Sequence, residues 1–127
     1  MDLEPADVEL GEAYVLMWTG AGEASCAWAS DELDSLVLPD PDRVWRIILH
    51  ILASDPPREV RAILAAGPLE SLLRAHAIDF IDRVEEEAAE NQPFRAILSG
   101  VDPMVCRSPA LGGRLAHAIR GRSGVMA

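Results

Sequence analysis

The chain contains no lysine, and all eleven of its basic residues are arginines. Residues 1–42 lack basic residues altogether while holding eleven acids. A surface of that kind repels nucleic acid and anionic membranes. Aromatic residues are scarce, at 5%. The core is therefore expected to be mostly Leu, Ile, Val and Ala, with Trp18, Trp28, Trp45, Phe80 and Phe94 as its large pieces. Only two cysteines occur, Cys26 and Cys106, without a CxxC pair. This excludes a disulfide-dense scaffold and a cysteine-rich zinc site, so two reduced thiols are expected, with Cys26 buried. Apolar runs are too short to span a bilayer. The start, Met-Asp-Leu-Glu-Pro, is acidic where a signal peptide is basic. A cytoplasmic protein with no membrane association is expected.

What is present is enough for one domain: 127 residues, 50% of them hydrophobic. The formal net charge is −10 and it is unevenly spread. After Asp102 come Arg107, Arg114, Arg120 and Arg122 with no acid. These arginines can fold back on the acidic N-terminal region, contact a nucleic acid or an acidic partner, or sit on a loose tail; without aromatic interleaving they are a weak nucleic-acid signal.

Proline and glycine punctuate the sequence into helices. Residues 5–18 place Leu10, Tyr14, Met17 and Trp18 on one helical face, with a short strand at Tyr14–Met17 as the alternative. Thr19-Gly20-Ala21-Gly22 breaks this element. A second helix is expected over 23–38, with Cys26, Leu33, Leu36 and Val37 inward. Asp40, Pro41 and Asp42 are the strongest start signal in the chain: a capping carboxylate, a proline at the first helical position, and an acid at the positive end of the dipole. The helix from Val44 to Leu52 is apolar except for a stripe of Arg43, Arg46 and His50, and should be central. Local acids such as Asp42 or Glu59 are expected to pair with that stripe. Further helices are expected over 56–66, 68–76 and 78–91, the last facing Ile78, Ile81, Val84 and Ala88 inward, with Gly67-Pro68 separating the first two. Phe94, Ile97 and Leu98 form a short one ending at Gly100.

The fold class is therefore all-α, a compact bundle of six to eight short antiparallel helices, with HEAT-like stacked hairpins as a possible arrangement. Residues 1–100 form the helical domain. Residues 101–127 are a Gly/Pro-rich, Arg-bearing segment, either packed on that domain or partly frayed. A helix near 110–120 is expected in it from Leu111, Leu115 and Ile119, and the last seven residues are expected to fray.

The stretches Glu32-Leu33-Asp34-Ser35-Leu36-Val37, Asp40-Pro41-Asp42-Arg43-Val44-Trp45, Ala66-Gly67-Pro68-Leu69-Glu70-Ser71-Leu72-Leu73 and Phe80 to Ala88 resemble a family of small bacterial proteins classed only as a domain of unknown function. The similar region covers roughly residues 25–100. The resemblance implies a helical fold and assigns no activity, so it carries over no functional residue.

Chemistry is thinly represented. There is no GxSxG, and Gly20-Ala21-Gly22 lacks the rest of a phosphate-binding loop. Cys106 and His117 could meet only through folding of the tail. His76, Asp79, Asp82 and Glu86 have spacings that allow one metal-binding helical face, against the plainer reading of a solvated charged face. No metal site, cofactor or catalytic residue is assigned. The favoured reading is a non-enzymatic protein-interaction module of the immunity-protein, antitoxin or inhibitor kind. It would meet a basic protein partner through Asp7, Glu12, Glu23, Asp31, Glu32 and Asp34. The alternatives are a metal-dependent enzyme using the 76–86 face, and an acidic mimic of nucleic acid.

Overall fold

A computed structural model describes residues 4–19 and 28–126, with residues 121–126 described by backbone only. Among the described residues the fold is all-α. Seven α-helices follow one another: α1 (Pro5–Thr19), α2 (Trp28–Leu36), α3 (Pro41–Ala53), α4 (Arg58–Leu64), α5 (Glu70–Glu90), α6 (Gln92–Leu98) and α7 (Pro109–Met126). Cys26 and residues 23–27 of the expected second helix lie outside the described residues. Tyr14–Met17 is helical, not a strand.

Helix α3 is central because its sequence leaves it little choice. Asp40 caps it by accepting a hydrogen bond from the Arg43 backbone N–H, with Pro41 at the first turn. Val44, Ile47, Ile48 and Ile51 are buried along one side, and α1, α2, α5 and α6 all pack against the helix. Trp45 fills the middle, its ring centroid 5.7 Å from Phe80 and 5.3 Å from Phe94. Asn91 caps α6 by accepting from the Phe94 N–H at 3.1 Å, which sets Phe94, Ile97 and Leu98 into the same core.

Two expected punctuation marks behave differently. Gly67-Pro68 does not separate helices. A π turn over Ala65–Leu69 joins α4 to α5 without a break, and Pro68 is buried inside it. The wider turn accommodates a proline that an α-helical interior would reject. The junction near residue 76 is present as a kink in α5, where His76 has φ −136° and ψ 33°. The kink resets the helical register. Ala77, Phe80, Ile81, Val84 and Ala88 face inward, and Ile78, expected inside, is 77% exposed.

Helix α7 is longer than the 110–120 helix expected from sequence, and its backbone continues as helix through Met126. It packs on α5 and on a short 3-10 turn, Pro103–Cys106, with Leu115 and Ala118 buried.

The largest departure concerns the aromatics. Trp45, Phe80 and Phe94 are core, as expected, but Trp18 and Trp28 are 37% and 44% exposed. The core around α3 is filled from the other side by Leu10 and Tyr14 of α1 and by Ala29, Leu33 and Val37 of the α2 region. The two indoles are left at the ends of α1 and α2 that flank residues 20–27.

Candidate functional site

The polar groups expected to carry chemistry are mostly used within the fold. Arg43 does not pair with Asp42 or Glu59. Its Nε donates to Asp7 of α1 at 2.5 Å, and this pairing holds the guanidinium even more firmly protonated than usual. Asp42 instead accepts from Arg83 of α5, whose guanidinium also lies 4.6 Å from the Phe80 ring centroid. Asp7 is only 1% exposed. It is therefore a structural pin between α1 and α3, and burial removes it from the set of acids that could meet a partner.

The His76, Asp79, Asp82 and Glu86 set does not converge. The kink turns His76 away from the others, and its Nε2 lies 2.7 Å from the Val37 carbonyl. Because a carbonyl only accepts, Nε2 carries the proton there. Asp82 accepts from Arg114 at 2.7 Å, and Glu85 accepts from the same guanidinium at 2.9 Å. Arg114 holds the Glu85 carboxyl below its ordinary range and is itself pushed further up. The tail arginine thus folds back onto α5, not onto the N-terminal region. Among the described residues, no group of three or more His, Cys, Asp or Glu side chains is placed to hold a metal.

Cys106 and His117 do not form a nucleophile–base pair. Cys106 is buried, His117 is exposed, and no hydrogen bond joins them. Burial pushes the Cys106 thiol up, away from the thiolate that nucleophilic chemistry needs.

What remains unspent is the surface of α1 and α2. Glu12, Asp31, Glu32 and Asp34 are all exposed, whereas Glu23 lies outside the described residues. Glu9, which the sequence reading passed over, is exposed on α1 as well. The same two helices also carry Leu16, Trp18 and Trp28, 44%, 37% and 44% exposed. Trp18 leans edge-on against Tyr14, centroid to centroid 6.3 Å. Tyr14 is buried, and burial pushes its hydroxyl up to about 12, with the nearby Asp34 charge adding to the effect. Helices α1 and α2 pack against each other. The sequence offered a signal for Trp18, which stands two residues before the Gly20 break, and none for Trp28, which falls inside the expected 23–38 helix.

A comparison with family models matches residues 19–119 to a family of unknown function, DUF6869. The chain belongs to DUF6869. No curated protein and no solved structure matches it. The DUF6869 match reaches beyond the region of resemblance read from sequence and takes in much of α7, while nearly all of α1 precedes it. In this DUF6869 chain the acidic surface is therefore composite: α2 lies within the matched span, and α1 is laid against it by the Asp7–Arg43 pair and by Leu10 and Tyr14 in the core. No described helix is long and apolar enough to cross a membrane.

Proposed function

We propose that this DUF6869 protein is a protein-interaction module that binds a basic protein partner through the exposed acidic face of α1 and α2. The observation that carries this reading is the exposure of Trp18 and Trp28 at 37% and 44% on the two helices that hold the exposed acids, in the part of the chain that has no basic residue. Exposed tryptophans are costly to leave in water and are over-represented among residues that dominate binding energy. Surrounding carboxylates steer an oppositely charged partner and set its orientation. Immunity proteins, antitoxins and inhibitors work in this stoichiometric way, and a protein of that class fits the surface best.

The test is affinity capture from the native host with tagged wild-type protein and Trp28→Ala, each washed at low and high salt. A stoichiometric basic protein should be retained by wild type at low salt, released by high salt, and retained about tenfold less by Trp28→Ala, the change expected for loss of about 1.4 kcal/mol of contact energy. Equal retention by Trp28→Ala, or retention unaffected by salt, rules the reading out.

A further inference from the structure

Leu10, Ala13 and Tyr14 of α1 are buried in the core. Beside them run half-buried Val8, half-buried Val15, which packs against the edge of the core, and exposed Leu16. With Ile51 of α3 these three line an open groove of about 430 Å³ between α1 and α3, and Glu12 and His50 stand at its rim. Gly11 brings the two helices together at the base of the groove. A Cβ there would lie 3.2 Å from His50 Cδ2 and 3.4 Å from an Ile51 side-chain carbon. Leu16, 44% exposed, leaves the apolar lining of this groove open to solvent.

We propose that this groove receives a basic amphipathic helix of the partner protein. The inference rests on the acidic-face reading above and names the element that is bound. The stripe from Val8 to Leu16 runs roughly 12 Å along α1, at 1.5 Å per residue. That is about two turns, the length over which a docked helix presents anchors at i, i+3 or i+4, and i+7. The charge of the rim selects the sign of the partner. Among the described residues Glu12 borders the groove and no arginine does, and Glu9 is exposed on the same helix. A docked helix bearing arginine or lysine beside its apolar face pairs with these carboxylates, whereas an acidic one is repelled.

Two fluorescently labelled synthetic peptides test this by fluorescence anisotropy. One forms a helix with leucine along one face and arginine along the other. The second has the same composition, scrambled so that no apolar face forms. Wild type should bind the amphipathic peptide at least about tenfold more tightly than the scrambled one. Leu16→Asp should abolish that preference, even though it adds a negative charge that by itself attracts both peptides. Leu16 is 44% exposed, so the variant should keep the fold, which circular dichroism verifies. Equal binding of the two peptides by wild type overturns the groove assignment, as does a preference that survives Leu16→Asp. A wild-type dimer in sedimentation that Leu16→Asp dissolves would assign the groove to a second copy, and overturns it equally. The triple variant Asp31→Arg, Glu32→Arg, Asp34→Arg separates the two readings. If wild type binds both peptides equally and this variant weakens both, the groove is wrong and the acidic face stands. If the variant weakens neither, both fall.

Discussion

At the scale of single residues, the polar groups divide between structural use and availability, and burial decides the division. Asp7 is spent on Arg43, so Asp7→Asn should destabilise the protein by about 1–3 kcal/mol, the range for a hydrogen bond to a charged partner, measured by urea unfolding. No such loss is expected for Glu32→Gln, whose side chain is exposed. Tyr14 is the only tyrosine, which makes its ionisation readable on its own. Its absorbance titration should centre near 12 in the folded protein, against an ordinary value of 10. The sign of the linked stability follows. The unfolded chain releases this proton first, so the contribution of Tyr14 is intact below 10 and is lost as pH rises from 10 towards 12. A midpoint at the ordinary value in protein that is still folded would show the hydroxyl to be solvated. Sequence reasoning listed Asp7 with the partner-facing acids because spacing cannot show which carboxylate an arginine thirty-six positions away will claim.

At the scale of elements, the sequence was legible where a local rule acts alone. Asp40-Pro41 starts α3, and the apolar run Val44–Leu52 lies at the centre. It was less legible where a non-local contact competes with a local rule. Gly67-Pro68 reads as a stop, yet burial of Leu64, Ala65, Pro68 and Leu69 favours a continuous path through a π turn. His76 bonds the Val37 carbonyl across 39 positions, and the resulting kink moves Ile78 outward. Glycines in α7 misled in the same way, since packing on α5 sustains a helix that propensity disfavours. Two of them differ in a testable manner. A Cβ at Gly113 meets nothing within 4 Å, while one at Gly112 would lie 3.1 Å from the Pro103 carbonyl oxygen. Gly113→Ala should therefore stabilise the protein by about 0.5–1 kcal/mol. Gly112→Ala should gain nothing or lose stability, because neither backbone can move away cheaply. Thermal unfolding of the two variants checks the contrast, and equal stabilisation by both would contradict the packing of α7 on the 3-10 turn.

At the scale of the whole molecule, charge is the property that most sets this chain apart. The formal net charge is −10, and the acids of residues 1–42 meet no base within their own segment. Some acids are answered inside the fold, as Asp7 is by Arg43, Asp42 by Arg83, and Asp82 and Glu85 by Arg114. The carboxylates of α1 and α2 are left facing outward together with two tryptophans, which gives the surface a sign and a position. The account holds that the position matters, not merely the total charge. The measurement that tests this most directly is quantitative capture from host lysate by two variants of equal net charge. In one, Asp31, Glu32 and Asp34 of α2 become arginine. In the other, the exposed Asp79, Glu86 and Glu90 of α5 do. The account predicts that the α2 variant loses the partner held by wild type, while the α5 variant retains it at close to the wild-type level. Equal loss in both variants would reduce the interaction to bulk electrostatics, and retention by the α2 variant would contradict the acidic face as the binding surface.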